Sequence, residues 1–326
     1  MPLRELLASD YAVRTEEKVR LDGGRDGYVM DGYVYFTIPA DNKEMIHMEQ
    51  ASIAYYMEER NYPQTTVPIP NVHGNWYTDY QGETYLVLRT KPLPTQEPVI
   101  PEGIQLAEFH ESGTGYPYEP HFASSYGKWQ QLWIDKLTMF EQKIESDARK
   151  KSTRFYQYLM DCLPYIVGLS ENAIQYVYET EQDKRFHQMD QGVITFRRYR
   201  NQLRGSFIWM EDFLYDHPAR DLAENIRGMM LNGSSKDEMI SFLNDYHSAR
   251  PISIFGWRLV YARLIFPVHI FDWLEKSFRR NDDDLLYQEW MDLMDKQTQY
   301  EYGVKNFFNY AGIDHESEQI PVLHWL

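Results

Sequence analysis

Two short apolar runs around residue 200 limit the fold more than any other part of the chain. The first is Val193-Ile194-Thr195-Phe196, which runs on into Arg197-Arg198-Tyr199. The second is Ser206 to Leu214, followed by the polar loop Tyr215-Asp216-His217-Pro218. A helix is expected from about Asp221, in Asp221-Leu222-Ala223. Short runs rich in β-branched and aromatic residues, bounded by polar clusters, read as strands. The order is therefore strand, turn, strand, loop, helix.

The rest of the chain divides around a Pro-rich segment. Residues 1–20 suggest a short helix carrying Leu3, Leu6 and Leu7 on one face. Asp22-Gly23-Gly24-Arg25-Asp26-Gly27 fits no regular phosphate-cradling spacing and reads as a hairpin turn. Tyr28 to Pro39 is a hairpin about Asp31-Gly32. Glu44 to Arg60 is helical, with Met45, Met48, Ile53, Tyr56 and Met57 as its expected inner face and Glu49 as a solvated carboxylate. Val67 to Asn71 contains prolines, which suits an edge strand. Asn75 to Arg89 folds back across Gln81-Gly82. The closely spaced prolines of 92–101 mark a hinge. Residues 1–91 thus form a β-rich lobe, and 102–326 a mainly helical one.

Within the helical part, Lys128 to Lys150 is amphipathic, with Trp129, Leu132, Trp133, Leu137 and Phe140 expected inside. Phe155 to Thr180 reads as one or two helices, with a break near Pro164 or Gly168. Ile254 to Phe278 is apolar, with a kink at Pro267. Ser235-Lys236-Asp237-Glu238 is a capping box.

Composition narrows the function. In 326 residues, 43% are apolar and the formal charge is −16, so a packed core is expected and a nucleic-acid partner is not. Arg197, Arg198, Arg200 and Arg204 stand out against that charge; they read either as a solvated turn or as an anion receptor. The single cysteine, Cys162, excludes an internal disulfide and reads as a buried thiol. The first residues lack a signal-peptide core, and the apolar run Leu259 to Phe271 is interrupted by Arg263 and Pro267, so no membrane is expected. The 26 tyrosines suit amphipathic packing, or contacts in a dense assembly.

Several segments carry a family resemblance. They are Leu106-Ala107-Glu108-Phe109-His110, Gly115-Tyr116-Pro117-Tyr118-Glu119-Pro120, Tyr126-Gly127-Lys128-Trp129-Gln130, Glu171 to Tyr176, and Tyr215-Asp216-His217-Pro218-Ala219-Arg220-Asp221-Leu222-Ala223-Glu224. With a strand-rich lobe, a hinge and a helical lobe, the chain is similar to the aminoglycoside-phosphotransferase branch of the kinase-like fold. It more closely resembles the CotS/YutH family of spore coat proteins. The resemblance implies an α+β, bilobal, protein-kinase-like fold with a small β-rich N-lobe and a larger helical C-lobe. It also implies synthesis in the mother-cell cytoplasm, then residence in the spore coat among other coat proteins.

The catalytic set does not carry over with the resemblance. Counting back from Asp221 puts Trp209 where a kinase holds its metal-binding Asp, and Phe196 and Arg198 where its catalytic-loop His and Asp stand. The strand ending Thr37-Ile38-Pro39 has no lysine for the phosphates. The expectation is a non-catalytic, structural protein that needs no cofactor or metal. Glu211 and Asp212 are the nearest substitute metal ligands, and they support the alternative of a divergent ATP-dependent small-molecule phosphotransferase. A third reading gives the cleft a small anionic ligand held by Arg197 and Arg198. In the kinase-like fold, the Asp at the position of Asp221 braces the catalytic loop.

Overall fold

The structure, a computed structural model, describes residues 2–15, 17–20, 24–91 and 100–324. Helix α1 (Pro2–Asp10) precedes strands β1 (Glu17–Arg20), β2 (Asp26–Met30) and β3 (Tyr33–Pro39). Helix α2 (Glu44–Glu58) follows, then β4 (Val67–Pro68), β5 (Tyr77–Tyr80) and β6 (Glu83–Thr90). These six strands pair antiparallel in the order β1-β2-β3-β6-β4, with β5 also on β6. Two hairpin turns fix the register. Asp31 and Gly32 take φ of 52° and 76°, and Gln81 and Gly82 take 53° and 86°. Positive φ at both central residues is what a type I′ turn requires, and Asp-Gly accepts it readily.

The strand period of two sorts the sheet's side chains. Tyr28, Tyr35 and Val87 point to one face, where they pack with Leu6, Leu7 and Tyr11. Phe36, Ile38, Leu86 and Leu88 alternate with them and are equally buried. α2 turns a different side inward from the one expected. Ile53, Tyr56 and Met57 are buried, but Met45 and Met48 are 61% and 36% exposed. The buried stripe runs instead through His47, Gln50, Ala51, Ala54 and Met57. This stripe begins with the polar residues His47 and Gln50, so apolar spacing alone misplaces it.

Helix α3 (Glu102–Thr114) leads to α4 (Trp129–Lys150) and α5 (Arg154–Gln182). Strands β7 (Val193–Phe196) and β8 (Phe213–Asp216) make a two-stranded sheet. Then come α6 (Ala219–Asn232), α7 (Lys236–Ala249), α8 (Ile254–Ile265), α9 (Val268–Ser277), α10 (Asp283–Lys305) and α11 (Phe307–Ala311). The expected break in α5 is absent, and the helix runs through Pro164. Proline inside a helix costs about 3 kcal/mol, but a long buried stripe that includes Leu159, Leu163, Ile166, Leu169, Ala173 and Val177 offsets it. Pro267 does more than kink: it separates α8 from α9. The stretch Ile254–Ser277 is long and apolar enough to cross a bilayer, yet 83% of its most apolar window is buried inside the protein. The Ser235/Glu238 capping box forms as expected. Leu132, expected inside, is 43% exposed on α4. Cys162 is half-buried rather than fully buried, and burial raises its thiol pKa.

The chain divides into two compact units. One comprises Met1–Ile100, Phe109–Ser124 and Val193–Tyr215; the other comprises Pro101–Glu108, Ser125–Gly192 and Asp216–Leu326. Most of the expected hinge, residues 92–99, lies outside the described residues.

Candidate functional site

Residues Val193–Tyr215, from β7 through all but the last residue of β8, belong to the strand-rich unit. All four residues of β7 are buried. Gly113 of α3 lets the strand come close, since a Cβ there would lie 2.8 Å from the Ile194 backbone nitrogen. Phe196 stacks on Phe109 at 4.8 Å and contacts Phe213 at 5.8 Å and Tyr199 at 5.5 Å. A ring occupies the place expected for a catalytic histidine, and it serves as core.

The chain then turns through the arginines. The Arg197 N–H donates to the Asp212 carbonyl at 2.7 Å. Asn201 takes the left-handed conformation at φ 62°, which asparagine tolerates better than most residues. The Gln202 side chain ties the turn from within. Its amide donates to the Arg198 carbonyl at 2.7 Å, and its oxygen accepts from the Arg200 N–H at 2.6 Å. Arg197, Arg200 and Arg204 are exposed on this turn, and Arg198 is half-buried.

Trp209 is not on a strand; it lies between the Ile208–Thr65 bridge and a 3-10 turn over Met210–Asp212. The second strand therefore starts later than its sequence suggests. Ile208 donates to the Gln64 carbonyl at 2.9 Å and accepts from Thr66 at 2.8 Å. So anchored, the Trp209 indole meets Phe36 of β3 edge-on at 4.6 Å. The Arg25 guanidinium sits over the indole at 4.4 Å and pairs with Glu211 at 2.6 Å. Gln50 of α2 donates to the carbonyls of Glu211 and Phe213 at 2.9 and 3.1 Å. Burial raises the Asp212 pKa and the neighbouring Glu211 adds to it, while Gln202, Arg197 and Arg25 oppose the shift. Among the described residues, no group of three or more His, Cys, Asp or Glu could hold a metal ion.

β3 carries no lysine. Glu49, expected in solvent, instead accepts the backbone N–H groups of His121, Phe122 and Ala123 at 2.9, 2.8 and 2.7 Å. It holds a loop within its own unit.

The helical unit holds a buried polar cluster around Asp216, a residue sequence reasoning weighed with Asp221 as a carboxylate while leaving its partners unseen. Asp216 accepts from Ser125 at 2.7 Å, from the Trp129 indole at 2.8 Å and from Arg220 at 2.5 Å. Burial alone would raise its pKa, but the Arg220 charge and the bonds from Ser125 and Trp129 outweigh burial and hold it low. Asp190 is arranged similarly, accepting from Ser253 at 2.6 Å and from the His187 N–H at 2.6 Å. The Ala219 N–H donates to His217 Nδ1 at 3.0 Å, so Nε2 carries the proton toward Asp190, 3.1 Å away. Asp221, in the first turn of α6, is fully buried. The clue in the sequence was the i,i+4 spacing of Asp216 and Arg220 at a helix start.

Phe196, Arg197, Arg198, Trp209, Glu211 and Asp212 thus share one unit, and Asp221 belongs to the other. Comparison with known proteins adds the family. The family model described as "Spore coat putative kinase YutH" matches residues 4–307. The endospore coat-associated protein YutH of Bacillus subtilis is 31% identical over 294 residues, which is 87% of this chain and 84% of that protein. Among solved structures, an aminoglycoside phosphotransferase from Alicyclobacillus acidocaldarius matches with a TM-score of 0.60 at 14% identity, covering 94% of this chain and 95% of the other. A microcompartment-associated aminopropanol kinase matches with a TM-score of 0.57 at 12% identity, covering 95% and 98%. At these identities the structural likeness is one of fold, and the fold is that of kinase-like phosphotransferases.

Proposed function

The chain belongs to the YutH family of spore coat proteins, and from that membership we propose that it is a non-catalytic, kinase-like scaffold made in the mother cell and built into the spore coat. The observation that carries this reading is the Trp209 site. Counting back from Asp221 assigns Trp209 to the position where a phosphotransferase needs a carboxylate for its metal, and the packing of its indole on Phe36 and under Arg25 supports this reading. An indole can only donate a hydrogen bond. An arginine in the place of the base keeps its proton at any physiological pH, and loss of a general base alone typically costs about 10²–10⁴ in rate. Glu211 is committed to Arg25 at 2.6 Å, which weighs against the alternative of a divergent phosphotransferase with relocated metal ligands.

The test is thermal unfolding with ATP and Mg²⁺ or Mn²⁺. A ligand that binds the native state stabilises it by RT ln(1 + [L]/Kd). No shift in melting temperature is expected. A clear upward shift, or measurable ATP turnover, overturns the inert reading. A fluorescent fusion in sporulating cells tests coat residence directly.

A second reading has its own support in the arginine turn. Because Gln202 holds the backbone fixed, Arg197 and Arg198 are presented without ordering a loop. They would receive a small anion such as pyrophosphate. Stabilisation by metal-free pyrophosphate that disappears in Arg197→Ala and Arg198→Ala, and weakens with salt, would favour it.

A further inference from the structure

A cavity of about 180 Å³ opens in the helical unit. Its walls include Tyr126, Trp129, Phe186, Phe255 and Leu259, with Glu181 at the end of α5. All of them lie in the same unit, and none is in the arginine turn or beside Trp209.

The walls are fixed and their polar tips are already committed. The Tyr126 hydroxyl donates to the Asp190 carbonyl at 2.9 Å. The Trp129 indole N–H is held by Asp216 at 2.8 Å. His217, also on the wall, is bonded at both ring nitrogens. What remains toward the space is ring surface. Phe186 meets Phe255 edge-to-face at 5.6 Å, yet stays 51% exposed. A large aromatic side chain held half in solvent beside an aromatic pocket gains burial when the pocket fills.

Size and polarity then select the occupant. An apolar cavity of about 150 Å³ is enough for a benzene ring, while drug-sized pockets run to about 300–1,000 Å³. This space suits one ring. Glu181 is still open to solvent and has no hydrogen bond or ion pair among the described residues, and its partial burial raises its pKa. A donor on the ring would meet that carboxyl.

We propose that this cavity binds a single phenol-type ring, with Trp129, Phe186 and Phe255 against its faces and Glu181 accepting from its hydroxyl. The ring could be supplied by a free small phenol or by the tyrosine of a polypeptide.

The test is ligand-observed NMR titration of the full chain with p-cresol, toluene, benzylamine and N-acetyltyrosinamide at millimolar concentration. p-Cresol is expected to bind, and toluene about tenfold more weakly for want of the hydroxyl bond. Glu181→Leu should erase that preference. Phe186→Ala should weaken both ligands; both replaced residues are exposed, so an unchanged melting temperature serves as the folding control. N-Acetyltyrosinamide binding alongside p-cresol assigns the ring to a polypeptide, and p-cresol alone assigns it to a free phenol. Failure of p-cresol to bind, binding untouched by both substitutions, or tighter binding of benzylamine than of p-cresol overturns the proposal.

Discussion

At the scale of single residues, the consequential groups are buried charges. Asp216 is fully buried and bonded to Ser125, Trp129 and Arg220. Its pKa in the fold lies below the ordinary 3.8. A carboxyl depressed in this way adds stability that is complete above its unfolded-state value and is lost as pH falls through the folded one. Asp190 is depressed too: its bonds to His217 and Ser253 overcome the burial that would raise it. The melting temperature is therefore expected to hold near neutral pH and to drop once the pH goes below about 4. Asp216→Asn should flatten part of that acid limb. It also breaks the buried Asp216–Arg220 ion pair, a change that costs about 3–5 kcal/mol in typical cases. Urea unfolding at pH 7 and a melting series down to pH 3 measure both effects. Asp221→Ala is expected to lower the melting temperature, because Asp221 is a fully buried carboxyl at the start of α6. An unchanged value would remove any bracing role.

At the scale of elements, what could be read from the sequence depended on whether a local rule or a distant partner decides the outcome. Asp31-Gly32 and Ser235…Glu238 are local devices, and both appear where their residues place them. α2 and the second strand were misjudged because their neighbours are remote in sequence. Gln50 faces inward to reach the carbonyls of Glu211 and Phe213. Ile208 is drawn out of a strand by Gln64 and Thr66. Pro164 argued for a break that the packing of α5 overrides. The separation of α3 from β7 provides a test at this scale. Gly113→Ala would set a Cβ 2.8 Å from backbone and 3.0 Å from the Ile194 Cβ, so β7 must shift. Overpacking of this kind costs about 1–3 kcal/mol, and the urea midpoint is expected to fall accordingly. Since β7 carries Phe196 and leads into the arginine turn, amide exchange should quicken in 193–205 before it does elsewhere.

At the scale of the whole molecule, the family and its kinase-like fold were legible from motifs spread along the chain, above all Tyr215 to Glu224. The apolar pattern also foretold a strand-rich beginning and a helical remainder. The cavity beside Phe186 was not legible, because its walls come from α4, α5, α8 and the connecting segments around Tyr126, Phe186 and His217, and nothing in their spacing announces that they meet.

The strand-rich unit is stitched from three separated lengths of polypeptide, the last of them Val193–Tyr215. A ribosome releasing this chain must therefore deliver about two thirds of it before Phe36 can find Trp209. A gene fragment ending at residue 100 would leave that aromatic face bare, and it is expected to come out of cells as aggregate. Restoring 193–215 in trans, as a synthetic peptide, should bring some of it back into solution.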